Sequence, residues 1–355
     1  MGDRESIIRT CRRMRIERKL SAYFHKRVTL AEGDIRCLKD TQKSQVWRLG
    51  IRKDGKAGYI VLKIIKPLPF TREKSLVEIN MYRKAKPVLN RFMPDVYYTE
   101  SLVNGGEFWA FMQYVRPTSK RKRISIHELE TVMKNLAQFH SLTYNRRFSR
   151  HRRRFEGWLP FHYSSDQKQL RLVTMQKTLA YLDQAMQRPD LHSILAPHYS
   201  FLEGQLRKGP DFFRRLKRAG QSVVHQDLIS LNISFTGSSS QQVAFIDWES
   251  AKFAPCWFDV VHAVRMYIME HPEWENREAQ LAERCARTYA RAMKRLGIRF
   301  GSPAVTLYKM ASVQMILQHY LYLFLRRAMK GRQPAPDLVR DLQKLNIWGQ
   351  QLGLH

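Results

Sequence analysis

The stretch VVHQDLISLNISF, residues 223–235, sets three polar side chains into an otherwise apolar run. They are His225, Asp227 and Asn232. A charge that is buried without a partner costs on the order of several kcal/mol, so a carboxylate and a carboxamide in such a run need a specific reason to be there. Further along the chain, the apolar segment VAFID ends in a second carboxylate, Asp247. These side chains are therefore candidates for a functional site.

The spacing of these side chains fits one kind of chemistry. Two carboxylates and an amide at neighbouring strand ends can converge on a hard cation, and Mg²⁺ takes oxygen ligands together with substrate phosphates. An H-x-D-x-x-x-x-N sequence followed by a strand that ends in Asp is also the arrangement of kinase catalytic loops. In those loops the first Asp accepts a hydroxyl proton, and the Asn and the later Asp bind Mg²⁺. The pattern therefore indicates phosphoryl transfer.

The bulk composition is that of a folded protein with more than one domain, with 355 residues of which 44% are hydrophobic. We expect no transmembrane helix, because the most apolar segment, residues 305–329, is interrupted by Lys, Gln and His. The N-terminal stretch lacks the apolar centre of a secretory signal. The four cysteines are scattered and form no C-x-x-C pair, which is typical of reduced thiols in a cytosolic protein. We therefore expect a cytoplasmic location.

The net charge of +31 is the most unusual bulk property, since 62 Lys and Arg residues face 31 Asp and Glu residues. Part of this charge lies in two runs, RPTSKRKR at 116–123 and RRFSRHRRR at 146–154. A solvated basic surface would explain it, and so would an anionic partner that binds the basic patches. The sequence shows no specific nucleic-acid-binding motif.

The chain divides into three parts by pattern. Residues 1–27 are predicted to form a basic helical N-terminal extension. Residues 28–115 are predicted to be mostly β, with a strand meander, one helix that carries Leu76 and Ile79 at helical spacing, and two strands joined by a hairpin at Asn104-Gly105-Gly106.

Residues 116–355 turn helical and include a helical insertion at about 141–219. Ser125 and Glu128 form a capping-box sequence at the start of the first helix. The opening stretch lies among these helices as a short β excursion, with GSSSQQ as its hairpin loop.

HQDLISLN together with FIDWE, Phe245 to Glu249, resembles the aminoglycoside phosphotransferase and choline kinase family. LAQFHSL at 136–142 and CWFDVVHAV at 256–264 resemble segments on either side of those motifs. The resemblance covers roughly residues 30 to 330. It implies an α+β, two-lobed protein-kinase-like fold, with a small β-rich N-lobe that binds the nucleotide and a larger helical C-lobe that carries the catalytic loop. It also implies ATP and Mg²⁺ as cofactors.

The resemblance assigns roles to single residues of this chain. Asp227 would orient and deprotonate an acceptor hydroxyl, while Asn232 and Asp247 would hold Mg²⁺. Lys63, in the middle of the apolar segment YIVLKII, would grip the α and β phosphates. A Lys in such a segment is costly unless it is paired. Glu78, in the next helix, would be its partner.

Further residues would support the site. His225 would lock the catalytic loop by hydrogen bonding, and Asp259 would brace it. Adenine would lie against backbone groups of a hinge that runs from Gln113 to Val115.

The sequence departs from the family pattern in three places. It has no G-x-G-x-x-G, so small and polar residues of TQKSQ, 41–45, would have to cover the phosphates. Gln226 stands where the family often has Gly, and Gln113 stands where it often has Glu. Trp248 and Glu249 are open between a structural role and the lining of an acceptor site.

The sequence-based hypothesis is an ATP-dependent phosphotransferase that moves the γ-phosphate to a hydroxyl of a small molecule. We expect a neutral or anionic acceptor, because a net charge of +31 repels polycationic antibiotics at long range. A kinase acting on a protein or an anionic polymer, as in spore-coat-like members, is one alternative. A catalytically weak binding protein with the same fold is another, although an intact set of site residues argues against it.

Overall fold

The computed structural model describes residues 4–102, 106–116, 118, 123–236, 241–331 and 336–354. The strands are β1 (Val28–Asp40), β2 (Ser44–Lys53), β3 (Lys56–Ile65), β4 (Val96–Ser101), β5 (Phe108–Gln113), β6 (Gln221–Val224), β7 (Ile233–Thr236), β8 (Gln242–Phe245) and β9 (Lys252–Pro255).

The α-helices are α1 (Arg4–Arg13), α2 (Ile16–Phe24), α3 (Arg72–Asn80), α4 (Lys86–Leu89), α5 (Ile126–Leu142), α6 (Arg146–Ser149), α7 (Arg152–Phe155), α8 (Ser165–Ala185), α9 (Pro189–Leu195), α10 (Tyr199–Lys208), α11 (Arg214–Arg218), α12 (Trp257–Glu270), α13 (Glu278–Arg295), α14 (Ala304–Met315), α15 (Leu321–Met329) and α16 (Pro336–Gln351). Two π-helical segments continue α3 and α14, at Met81–Ala85 and Ile316–Tyr320. Short 3₁₀ segments lie at Asn90–Phe92, Ala196–His198, Ser230–Asn232, Trp248–Ser250 and Pro272–Arg277.

The described chain folds into two compact units. The first comprises Met1–Ile124, His151–Leu159 and Asp227–Ala251. The second comprises Ser125–Arg150, Pro160–Gln226 and Lys252–His355. The boundaries expected from sequence, after residues 27 and 115, stay predictions.

The first unit is built on a five-stranded sheet in the order β1-β2-β3-β5-β4, and its paired neighbours are antiparallel. Alternate residues of a strand point to opposite faces of a sheet. Leu62 and Ile64 of β3 face a buried apolar cluster that also contains Ile7, Cys11 and Leu20 of the first two helices. Lys63, between them in sequence, therefore points to the opposite face of the sheet.

The N-terminal helices thus cover one face of the sheet with their apolar sides. Cys11 and Leu20 are fully buried, whereas arginines lie on the exposed sides of α1 and α2. The many basic residues in 1–27 predict an exposed helix, and the apolar residues that form the buried side are not evident from composition alone.

The second unit is mostly helical and contains one two-stranded sheet, β6 with β9, within its described residues. The predicted capping box at the start of α5 is confirmed, since the Ser125 side chain accepts from Glu128 N and the Glu128 side chain accepts from Ser125 N. A buried ion pair anchors the last helix, because Arg265 of α12 donates to Asp341 of α16 at 2.8 Å. The α+β class expected from sequence is confirmed.

Some sequence expectations concern places that differ or are not described. Leu76, expected on the apolar side of its helix, is 43% exposed, while Val77, Glu78 and Ile79 are buried. The predicted turn residues Asn104 and Gly105, most of GSSSQQ, and five residues of the RPTSKRKR run lie outside the described residues. Within the described chain, no helix is both long and apolar enough to span a membrane.

The packing of the N-terminal helices leads to a test of stability. Leu20→Ala should lower the free energy of unfolding by about 2–5 kcal/mol, because it removes a fully buried side chain and leaves a cavity against the sheet. Arg18→Ala, at an exposed position of the same helix, is the matched control and should change it by less than about 0.5 kcal/mol. Urea denaturation measures both. Equal values for the two variants would show that residues 16–24 contribute no core.

Candidate functional site

A buried lysine of the first unit is held by two carboxylates. Lys63 Nζ donates to Glu78 Oε1 at 2.5 Å and to Asp247 Oδ1 at 3.0 Å. The Tyr82 hydroxyl donates to the same oxygen of Glu78 at 2.8 Å. Lys63 and Glu78 are only 8% and 3% exposed, so both charges depend on these contacts.

The electrostatics of this group keep Lys63 and Asp247 ionised at neutral pH. Burial lowers the pKa of Lys63, but the neighbouring carboxylates outweigh burial and hold the pKa well above its ordinary value. Burial raises the pKa of Asp247, but the cations of Lys63 and its neighbours Lys39 and Lys43 outweigh it and lower the pKa to about 2. For Glu78, burial raises the pKa and the Lys63 ammonium opposes the rise.

The β7–β8 hairpin places Asn232 and Asp247 at the same end of two paired strands. Strands β7 and β8 pair antiparallel, with Ile233 opposite Phe245. The pairing extends by one more bond, because Ile246 N donates to the carbonyl of Asn232 at 3.0 Å. Asn232 therefore precedes one strand at the same end where Asp247 follows the other.

Asn232 is fixed in turn by Asp227. Its amide nitrogen Nδ2 donates to the Asp227 carbonyl and to Asp227 Oδ2, both at 2.9 Å. Both bonds use Nδ2, so the carboxamide oxygen Oδ1 takes no part in them. Asn232 is 5% exposed, and its amide therefore cannot rotate freely. The structure thus brings Lys63, Glu78, Asp227, Asn232 and Asp247 together in one unit.

Two lysines near the β1–β2 turn and one glutamate were not assigned from the sequence. Lys43 Nζ contacts both carboxylate oxygens of Glu249, at 2.7 and 2.6 Å. Lys39 Nζ lies 3.8 Å from Asp247 Oδ2. The signal was present in TQKSQ, which was considered only for its small and polar residues although it contains Lys43.

In the second unit, Asp259 binds the backbone of the two residues that precede Asp227 in the sequence. Its two carboxylate oxygens accept from His225 N at 2.7 Å and from Gln226 N at 2.8 Å. His140 Nε2 lies 3.2 Å from Asp259 Oδ2. Burial raises the pKa of Asp259, but hydrogen bonds from His140 and His225 N outweigh it and lower the pKa. A bracing role for Asp259 stays a prediction that this geometry supports.

One polar residue of interest in each unit has a left-handed backbone conformation. Gln226 has φ of 64° and Asp247 has φ of 65°. Non-glycine residues seldom adopt this region, and when they do it is often at functional positions. The preference of the family for Gly after the loop His thus has a local cause, and this chain carries Gln226 in the strained conformation.

The expected hinge follows the last strand of the sheet. Gln113 N donates to Asp95 O at 2.7 Å, and the Gln113 side chain accepts from Asp95 N at 3.3 Å. Gln113 therefore uses both its backbone amide and its side-chain oxygen to hold Asp95. The role of both residues stays a prediction.

The donor set near Asp247 suits a magnesium ion. Asn232 offers an amide oxygen and Asp247 an ionised carboxylate, and Mg²⁺ is commonly held by one or two carboxylates together with substrate phosphates. Among the residues that the structure describes, no group of three or more His, Cys, Asp or Glu side chains could hold a metal ion. The two oxygens fit Mg²⁺ as partial ligands, and a site of this kind would need phosphates of a nucleotide to complete the metal shell.

Comparison with solved structures shows the fold. Macrolide 2′-phosphotransferase MphH from Brachybacterium faecium is similar with a TM-score of 0.53 and 14% identity, over 91% of this chain and 96% of that chain. An aminoglycoside phosphotransferase from Alicyclobacillus acidocaldarius has a TM-score of 0.50 and 15% identity, over 89% of each chain. The protein-kinase-like fold expected from the sequence is thereby confirmed.

No curated protein matches the chain. The model of the phosphotransferase enzyme family (APH) matches residues 42–295, which is more than half of the chain and contains the whole Lys63–Asp247 group. The resemblance noted in the sequence is confirmed, and the chain belongs to the phosphotransferase enzyme family.

Proposed function

We propose that this protein is a Mg-ATP-dependent kinase that transfers the γ-phosphoryl group of ATP to a hydroxyl group of a small molecule. The observation that carries the proposal is the Lys63 ammonium, which is buried between Glu78 and Asp247. This arrangement would place a cation, Lys63, for contact with nucleotide phosphates next to an anion, Asp247, that can bind a metal ion. The family supports phosphoryl transfer, and the identity of donor and acceptor is the proposed part.

The proposed reaction breaks one bond and forms another. The bond between the γ-phosphorus and the oxygen that bridges it to the β-phosphate breaks, and ADP leaves with the bond electrons. The acceptor oxygen forms the new bond to phosphorus, and its proton passes to the carboxylate of Asp227. The products are ADP and a phosphate ester. Little covalent chemistry falls to the protein, so catalysis depends on positioning and on charge.

Asp227 is suited to hold the acceptor hydroxyl. Its Oδ2 accepts from Asn232, which fixes the orientation of the carboxylate. An oriented carboxylate can accept the hydroxyl proton as the phosphorus–oxygen bond forms. We infer that Asn232 has two tasks, since its nitrogen orients Asp227 while its oxygen is a metal ligand.

The donor nucleotide would bind in the first unit. Lys63 would contact the α and β phosphates, and adenine would lie against the backbone after β5, between Gln113 and Val115. Asn232 and Asp247 would hold Mg²⁺, which neutralises charge on the phosphates when bound.

The charge of the chain favours an acceptor that is neutral or anionic. Lys and Arg exceed Asp and Glu by 31, and the long-range field of a protein acts on the approach of charged substrates. At physiological salt the screening length is about 8 Å, so a local acidic pocket could still hold a cation, but steering would oppose its approach. The same positive field would also attract a protein or polymer acceptor that carries anionic groups.

Asp227→Asn tests the acceptor role. We expect turnover to fall by about 10²–10⁴-fold, because the amide cannot accept the proton, although its oxygen can still accept from Asn232. Affinity for Mg-ATP, measured by calorimetry, should stay unchanged. Asp54→Asn makes the same chemical change in the turn between β2 and β3 and should leave turnover intact. Wild-type turnover in the Asp227 variant would refute the assignment.

Asp247→Ala tests the metal role. In the wild-type chain Mg²⁺ should raise the affinity for ATP, and EDTA should abolish the gain. In the variant, titrations with and without Mg²⁺ should give the same dissociation constant, because the ionised carboxylate is gone. If Mg²⁺ still strengthens binding as in the wild type, another residue holds the metal.

A screen of hydroxyl acceptors tests the charge argument. ADP release should be found with neutral or anionic acceptors, and kcat/KM for an anionic acceptor should fall as salt rises. For a polycationic aminoglycoside, kcat/KM should be lower and should increase with salt, because screening weakens repulsion. An aminoglycoside that is the best acceptor at low salt would contradict the argument, as would kanamycin resistance that disappears with Asp227→Asn.

A further inference from the structure

The turn between β1 and β2 lacks the means by which a glycine-rich loop binds phosphates. It consists of Thr41, Gln42 and Lys43 and contains no glycine. Thr41 N donates to Ser44 O at 3.0 Å, and Ser44 N donates to the Thr41 hydroxyl at 3.1 Å. Two backbone amides at this turn are thus spent on the turn itself, whereas glycine-rich loops offer such amides to the phosphates.

The turn carries one cationic side chain, Lys43, and the end of β1 next to it carries another, Lys39. Lys43 reaches both oxygens of Glu249 at 2.6 and 2.7 Å, and Lys39 lies 3.8 Å from Asp247. Two lysines thus face two carboxylates of the segment FIDWE. The Lys43 side chain keeps 36% of its surface exposed, so it can exchange its partner.

The register of the sheet explains why the side chains of Lys39 and Lys63 lie on the same face. Lys39 lies opposite Val46, and Val46 lies opposite Lys63. Residues in one such row point to the same face of a sheet. Lys39 and Lys63 therefore share the face opposite the N-terminal helices, and both contact Asp247.

We propose that Lys43, with Lys39 beside it, binds the terminal phosphates of the donor nucleotide, and that Glu249 holds Lys43 in place when no nucleotide is bound. The inference rests on the proposed function and adds two residues to it. A polyphosphate would offer Lys43 a stronger anionic partner than one carboxylate, and Lys39 would turn to the phosphates when Asp247 holds a metal ion. Lys43 and Lys39 would thus have anionic partners both before and after the nucleotide binds.

A purely structural clasp makes a different set of expectations. The ion pair could serve only to tie the turn to the Trp248–Ser250 segment. In that case, removal of either charge would lower the free energy of unfolding by a similar amount. Neither change would then distinguish nucleotides by their number of phosphates. Binding of phosphates predicts opposite effects, because Lys43 would be the ligand and Glu249 its competitor.

The experiment compares binding of ATP and AMP by calorimetry, in EDTA and with Mg²⁺. Lys43→Met should weaken ATP binding by about tenfold or more, the usual effect of losing one charge-assisted hydrogen bond, and should leave AMP binding unchanged. Lys56→Met is the matched control, because it removes the same charge from the exposed first residue of β3. It should change neither affinity.

Glu249→Gln and the double variant complete the cycle. In EDTA, Glu249→Gln should raise the affinity for ATP, because Lys43 no longer has a competing anion. The gain should vanish when Lys43→Met is also present. A gain of the same size in the double variant would show a general charge effect and would contradict the exchange of partners.

The outcomes separate this inference from the proposal on which it rests. A wild-type chain that binds no ATP with or without Mg²⁺ would refute the proposed function and this inference with it. A wild-type chain that binds ATP, with the same ratio of ATP to AMP affinity in Lys43→Met, would refute the inference alone.

Discussion

The buried charge of Lys63 is the constraint on which the first unit depends. An ammonium group at this depth is stable only if anions compensate for its lost hydration, and it has two. One is Glu78 of α3 and the other is Asp247, two residues after the end of β8. Loss of either carboxylate leaves the lysine with incomplete compensation, so the requirement for charge balance places a strand, a helix and a distant hairpin relative to one another within this unit.

The sequence allowed correct predictions where a local pattern could be combined with a chemical requirement, such as the need of a buried charge for a partner. Lys63 in an apolar strand and Glu78 in the next helix were paired because a buried lysine needs an anion, and the structure has this pair. The same helix shows the limit, since Leu76 is exposed and Glu78 is buried. Hydrophobic periodicity predicts that the apolar side of a helix is buried. It fails for α3, because Glu78 must be buried to pair with Lys63 of β3.

Contacts between distant charges were beyond the sequence. Asn232 and Asp247 could be placed together because two short strands flanked by polar residues form a hairpin. Lys43 and Glu249, however, are 206 residues apart, and no pattern selects this pair among 62 cationic and 31 anionic side chains. The left-handed conformation of Gln226 was likewise not predicted, because glutamine gives no local signal for it.

The order of the chain has a consequence for biosynthesis. Lys63 and its second carboxylate are separated by 184 residues, so a ribosome that adds about 5–20 residues per second needs about 10 to 40 s to supply Asp247 after Lys63. Through that interval the nascent sheet has Glu78 but lacks residues 227–251 of its own unit. The charge balance at Lys63 is therefore completed only after this hairpin has been synthesised, and until then the incomplete unit is exposed to aggregation and depends on chaperones.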